Sequence, residues 1–305
     1  MPGLPDDVLP VPRRSTALVP GHVARMMEKA HEFAADILVL DLEDSVPFVD
    51  AEKRQARSAV AAAIGAGGFR AREISVRVNG PRTPWFAEDV SAALGAGATA
   101  LTLPHVHGLA DVLFAEERIA AVATRPVAVH LSVETPGLLL DLEAVARQAR
   151  FVVSLSVAPN DYCLETGSTA LLQALMAGKP GVAVDEQLVW LRQKLIAAAK
   201  SRGWSAIDAP AIADPDDAAA ARAAMVHSRA MGFDGAAVLY PRFIDLANEV
   251  FSPAPDELAW ARQVAADFDR MQADPASAGR KVMRQHHETA VRLLRMASAI
   301  GSKHV

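Results

Sequence analysis

Three carboxylates, Asp41, Glu43 and Asp44, stand within four residues at the end of the apolar run Ile37-Leu38-Val39-Leu40. A short β-branched and leucine-rich run reads as a buried strand, and charges crowded at its C-terminal end repel one another unless something positive sits among them. A metal site or a proton-transfer site is the chemistry this suggests. Other apolar runs end in polar residues in the same way. Arg77 and Asn79 belong to ISVRVN, His105 closes TALTLPH, Glu134 lies in VAVHLSVET, and Asn160 and Asp161 follow FVVSLSVAP.

Each of these residues has more than one reading. A hard divalent cation such as Mg2+, or Mn2+ with the same oxygen ligands, takes one or two protein carboxylates and fills the rest with water and substrate. Glu134 and Asp161 meet that demand, and the acids of the second run could hold the metal's waters. Both also precede helix-like stretches and could simply cap them. Arg77, inside an apolar run, either pairs with one of the acids or awaits a substrate carboxylate, which its fork suits. His105 is a base, a ligand or a hydrogen-bonded core residue.

The elements that must position these groups are legible as a rhythm. Eight strand-like runs, at 15–21, 36–44, 74–79, 99–105, 127–135, 151–159, 205–210 and 235–241, alternate with alanine-rich stretches apolar at spacings of three and four. Eight parallel β/α units fill a (β/α)8 barrel, in which chemistry sits at the C-terminal ends of the strands. GAGATA at 95–100 is the nearest approach to a dinucleotide fingerprint, but it follows a helix and precedes a strand, the reverse of the required order. The organisation expected is a barrel over 1–250, with a proline-rich leader, and a helical extension over 251–305 that packs on a neighbouring subunit.

Composition excludes several classes. The formal charge of -5, with no long basic block before the last thirty residues, argues against nucleic acid. The single cysteine, Cys163, excludes an internal disulfide framework and fits a reducing compartment. With no apolar run of about 20 residues and no signal-like start, the expectation is a cytoplasmic protein that uses no membrane. The minimal signals of serine hydrolases, zinc proteases, thiol redox proteins and phosphate loops are lacking. His286 and His287, with Lys281 and Arg284, read as a solvated face in a polar loop, and Trp85 and Tyr240 as packing residues.

Taken in order, RSTALVPGHVARMMEKA, DILVLDLEDSV, VRVNG, LPHV, VETPG and the acid after the sixth run resemble the citrate lyase β-subunit-like proteins. These are metal-dependent aldolases and lyases of the phosphoenolpyruvate/pyruvate barrel superfamily. The resemblance continues through GFDGAAVLYPRFIDLANEVF and VRLLRMASAIG, nearly the whole chain. It implies a Mg2+-dependent barrel, a homotrimer or hexamer, that makes or breaks a carbon–carbon bond beside a 2-keto acid. Glu134 and Asp161 would ligate the metal, Arg77 would hold the substrate carboxylate, and Glu43 and Asp44 would bind metal waters or relay protons. With His105 these two acids are the catalytic candidates.

The chain also departs from that pattern. LPHV puts His105 where relatives read LPKV. The loop before the sixth acid is SVAPND, so Ala158 and Asn160 are its candidate substrate contacts, and Pro159 has no N–H to offer. LYPRF replaces the turn of coenzyme A-using members, and GRKVM puts Met283 where their C-terminal loop carries an acid. The leading expectation is a carbon–carbon lyase or aldolase for a small 2-keto or 2-hydroxy acid, with coenzyme A weakly supported as co-substrate. An acyl-coenzyme A lyase or thioesterase of the citryl or malyl type, and a non-catalytic keto-acid-binding subunit, are the alternatives.

Overall fold

The computed structural model describes residues 10–176, 182–212, 214, 216–273 and 282–301. Most of the proline-rich leader, and residues 279–281 of GRKVM with Lys281, lie outside the described residues. The elements run β1 (Ser15–Pro20), α1 (Ala24–Ala30), β2 (Ile37–Asp41), α2 (Asp50–Ala66), β3 (Glu73–Arg77), α3 (Phe86–Ala96), β4 (Ala100–Leu103), α4 (Leu109–Val122), β5 (Ala128–Val133) and α5 (Pro136–Gln148). They continue as β6 (Val152–Val157), α6 (Pro159–Glu165), α7 (Thr169–Met176), α8 (Val182–Ser201), β7 (Ser205–Asp208), α9 (Ala218–Met231), β8 (Gly235–Val238), α10 (Ile244–Val250), α11 (Pro255–Ala273) and α12 (Arg284–Gly301).

Seven of the eight strands fall within the runs read from the sequence and β3 starts one residue before its run, at Glu73; they close in chain order into one parallel barrel, β8 pairing with β1. Every residue of β2 is buried, as a continuous apolar run flanked on both faces requires. Parallel pairing sets Asp41 opposite Pro20 on one side and Arg77 on the other, so the register itself brings an acid and an arginine together at one end of the barrel. Closure needs a glycine at the start of β8: a Cβ on Gly235 would lie 2.0 Å from the Arg13 carbonyl oxygen.

Helix ends obey local chemistry. Asp50 and Glu52 favour the positive N-terminus of α2, which stops at Gly67 with φ 66°. Thr135 caps α5 by accepting from Leu138 N at 3.1 Å, with Pro136 at the first helical position.

The opposite end of the barrel carries its own buried charges. Arg14 grips Asp36 through Nε at 2.7 Å and NH2 at 2.9 Å. His130 links Ser154 Oγ, 2.7 Å from its Nδ1, to Glu73, whose Oε2 accepts from Arg13 at 3.0 Å. These contacts tie β3, β5 and β6 to the segment before β1, at the face where barrels keep stability rather than chemistry.

The described residues fall into two compact units, 13–248 and a smaller one of 10–12, 249–273 and 282–301. In the smaller unit α11 and α12 meet through aromatic contacts. His287 stacks on Phe268 with centroids 3.7 Å apart, and His286 meets Trp260 edge-on at 6.5 Å. This corrects the polar-loop reading of the histidine pair, which occupies the first turn of a helix and packs against its neighbour. No helix among the described residues is long and apolar enough to cross a membrane.

Burial opposes ionisation of Glu73, but His130 and Arg13 prevail and hold its carboxyl at about 2. A carboxyl depressed from 4.5 stabilises the fold above that pH and loses its contribution as pH falls toward 2. That contribution is on the order of 3 kcal/mol. Denaturant midpoints are expected to fall steeply from pH 5 to pH 3 in the wild type, and much less in Glu73→Gln.

Candidate functional site at the C-terminal mouth of the barrel

The three acids after β2 do not share one role. Asp41 is fully buried and its carboxylate is consumed by the protein. Arg77 donates to it from Nε at 2.6 Å and NH2 at 2.8 Å, and the amides of Glu43 and Ser45 donate at 3.0 and 3.1 Å. Asp41 is therefore the anchor of the turn, and Arg77 takes the ion-pair alternative as its first engagement. Arg77 NH1 lies 3.2 Å from Glu43 Oε2, so three of its five N–H donors face acids and two remain for a ligand. Burial works against the charge on Arg77, but Asp41, Glu43 and Asp44 outweigh it and raise its pKa.

The turn is also held from behind by residues sequence reasoning passed over. Lys53, 1 % exposed, donates to the carbonyls of Leu42 and Glu43 at 2.9 and 2.8 Å and sits 4.4 Å from the Phe48 ring centroid. Asn79 donates to the same Leu42 carbonyl at 2.9 Å and to Asp89 at 2.6 Å, so it too is scaffold. The signal for Lys53 was available: it stands on the buried stripe of α2 with Ala56 and Val60, at i, i+3 and i+7, where a lysine is out of place. Trp85, read as packing, donates its indole N–H to Asp50 at 2.8 Å beside Phe48.

His105 spans two acids. Its ring Nε2 lies 2.9 Å from Glu43 Oε1, its Nδ1 lies 3.4 Å from Glu134 Oε2, and its own backbone N–H donates to that oxygen at 2.6 Å. This reach depends on a left-handed backbone, φ 50°, which is uncommon outside glycine but which histidine tolerates better than most side chains. It also depends on Gly80, where a Cβ would come within 2.9 Å of the His105 Cβ. The bond to Glu43 pushes the imidazole up to about 9 against partial burial. Burial raises Glu43, but the His105 bond and Arg77 hold it down at about 2.

Glu134 is not a cap, because Thr135 performs that task; its carboxyl is 2 % exposed and burial pushes it up to about 7. Asp161 lies in the first turn of α6 rather than at its cap, and burial raises its pKa too, with Glu43 adding repulsion. Burial and the neighbouring Glu43 raise exposed Asp44 to about 6. Ala158 uses its amide on the Val133 carbonyl at 3.4 Å and its carbonyl on Tyr162 N at 3.1 Å. Its amide and carbonyl are thus both engaged within the fold. Asn160 is exposed beside Asp161, and Met283 is 48 % exposed.

Five carboxylates therefore crowd one arginine and one histidine, and three of them are held above their ordinary pKa. Glu43 Oε2 is buried with no hydrogen-bond partner, since Arg77 NH1 is near but poorly aligned. A divalent cation fits a mouth of this kind, which offers excess negative charge, oxygen donors and an orphaned buried acceptor. Asp161 adds repulsion to the buried Glu134 carboxyl. The set of three possible donors within 4.8 Å of one another, among the described residues, is Glu43, Asp44 and His105.

The model of the HpcH/HpaI aldolase/citrate lyase family matches residues 14–241. A (3S)-malyl-CoA thioesterase of Cereibacter sphaeroides is 30% identical over 295 residues, 95% of this chain and 96% of that protein. An L-malyl-CoA/beta-methylmalyl-CoA lyase of the same species is 27% identical over 86% of each chain. Among solved structures, a citrate lyase from Burkholderia xenovorans superposes with a TM-score of 0.81 at 19% identity, over 97% of this chain and 95% of that one. The CitE protein of Mycobacterium tuberculosis, in complex with magnesium, acetoacetate and coenzyme A, gives 0.69 at 24% identity, over 96% and 99%.

Two outcomes test the geometry of the mouth. In the metal-free protein the His105 ring is expected to titrate near 9 by proton NMR and to return toward 6.5 in Glu43→Gln. An unchanged titration would show that Glu43 does not hold the imidazolium. Lys53→Met, which removes one donor from each of two buried carbonyls and leaves them Asn79 Nδ2 and the Val46 amide, is expected to cost about 1–3 kcal/mol in chemical denaturation, the net of two hydrogen bonds. A wild-type midpoint would mean the turn holds without the lysine.

Proposed function

Because the chain belongs to the HpcH/HpaI aldolase/citrate lyase family, we propose that it is a metal-dependent carbon–carbon lyase acting on a small 2-keto or 2-hydroxy acid, free or as a thioester. The observation that carries the reading is the convergence of Glu43, Asp44, Arg77, His105, Glu134 and Asp161 on one barrel mouth. Mg2+ is the expected cation, held by Glu134 and Asp161; the magnesium complex of the Mycobacterium tuberculosis protein, a distant relative, supports it. When bound, such an ion supplies Lewis acidity that stabilises negative charge developing on a carbonyl oxygen.

The chain's own residues do the rest. The two remaining N–H bonds of Arg77 orient a substrate carboxylate, which limits the poses in which a carbon–carbon bond can break. In the cleavage direction a base removes the hydroxyl proton, the electrons of the carbon–carbon bond pass into the enolate of the departing fragment, and a proton is returned to its carbon. Asp44, with its pKa raised to about 6, is a carboxyl able to take and return a proton near neutrality while it ligates no ion. The His105–Glu43 pair sets the charge beside it.

The thioester form of the reading has its own support. The relatives at 30% and 27% identity are both named for malyl-CoA. They favour a coenzyme A thioester substrate despite the LYPRF turn and Pro159, and make hydrolysis of the thioester the second activity to assay. We also place the protein in the cytoplasm, as a homotrimer or a multiple of it with the C-terminal helices packed on a neighbouring subunit. The single cysteine and the appended helices support this.

Proton NMR in D2O separates these forms. Metal-dependent loss of the methyl signal of pyruvate, or of acetyl-coenzyme A with glyoxylate present, reports enolate formation without any need to know the acceptor. Exchange is expected in at least one tube and is expected to vanish in Glu134→Gln with circular dichroism unchanged. Normal exchange by that variant would remove Glu134 from the metal site, and silence of the wild type in both tubes would contradict the lyase reading.

A further inference from the structure

Glu134 and Asp161 do not account for all the donors at the mouth. Glu43, Asp44 and His105 each offer a ligand atom, and these atoms lie within 4.8 Å of one another. Opposite ligands on one ion with bonds near 2.1 Å are about 4.2 Å apart, and neighbouring ones about 3.0 Å. His105 Nε2 and Glu43 Oε1, at 2.9 Å, already have the spacing of neighbouring ligands. The other oxygen of Glu43, Oε2, is buried in a residue 1 % exposed and accepts no hydrogen bond, Arg77 NH1 lying 3.2 Å away without donating to it, so it keeps a lone pair for an ion. Asp44 is exposed, which leaves an entry path from solvent.

The donor types narrow the ion. Mg2+ favours an all-oxygen, strongly hydrated shell, whereas an imidazole nitrogen with two carboxylates suits a first-row transition ion. Within this reading of a metal-dependent mouth, we propose that Glu43, Asp44 and His105 form a second cation position beside Glu134 and Asp161, and that its imidazole makes it take Mn2+ in preference to Mg2+. The proton shared by His105 and Glu43 passes to solvent when the ion enters, and the left-handed backbone of His105 keeps its ring aimed at the site.

Pulsed EPR of the full chain loaded with Mn2+ reads the ligand directly, because an imidazole nitrogen imprints a 14N modulation on the spin echo. The wild type is expected to show it, to keep it under about tenfold excess Mg2+, and to lose it in both His105→Gln and His105→Lys. Glu134→Gln is expected to retain it, because the second position does not use that acid. Mn2+ bound by the wild type without 14N modulation would overturn the proposal and leave the metal-dependent lyase standing. Modulation that survives both His105 variants, disappears in Glu134→Gln, or yields to Mg2+ would likewise overturn it. No Mn2+ binding by the wild type would remove the proposal and the metal-dependent reading together.

Discussion

The bidentate ion pair between Asp41 and Arg77 is the constraint on which the mouth of this barrel depends. Parallel pairing sets the two residues opposite one another at the ends of β2 and β3, so the contact follows from the register of the sheet. Asp41 then has oxygen lone pairs left for the amides of Glu43 and Ser45, and those bonds fold the chain into the turn that carries Glu43. Lys53 and Asn79 secure the same turn through its carbonyls. Remove Arg77 and a wholly buried carboxylate loses its counter-charge, at a cost of about 3–5 kcal/mol. The catalytic candidates would lose their frame as well.

On that frame the protein tolerates an electrostatic imbalance. Glu43 is held ionised by His105 and Arg77 although its Oε2 accepts no hydrogen bond, but Asp44, Glu134 and Asp161 are each pushed toward their protonated forms by burial and by neighbouring carboxylates, Glu43 among them. A fold built for stability alone would place an apolar or paired residue at a site as buried as Glu134. Carboxylates whose mutual repulsion is relieved by a cation couple that cation to the charge state of the whole mouth. At the opposite end each buried acid faces basic partners instead, Asp36 with Arg14 and Glu73 with Arg13 and His130, so no excess of carboxylates asks for a cation there.

The barrel was legible because a strand buried on both faces writes itself as a short continuous apolar run, and eight such runs alternated with helix-period stretches. The polar residues at the strand ends were legible for the same reason, since each interrupts a run. What could not be read was the division of labour among them. Asp41 and Glu43 are both acids after one strand, and only the register with β3 shows that the first belongs to Arg77. Thr135, not Glu134, caps α5, because the cap is decided by which oxygen reaches the Leu138 amide. The role of Lys53 is written across two elements, and the amide of Ala158 is engaged by a neighbouring strand that its own segment does not reveal.

The measurement closest to the central claim is the titration of the Glu134 carboxyl, followed by carbon NMR with and without Mg2+. In the free protein the carboxyl is expected to titrate near 7. With Mg2+ present the titration is expected to move well below that, because an ion among the acids favours the charged form. A Glu134 carboxyl that titrates at the same pH in both conditions would contradict the account, since a cation held at this mouth cannot leave a buried acid proposed to ligate it unaffected.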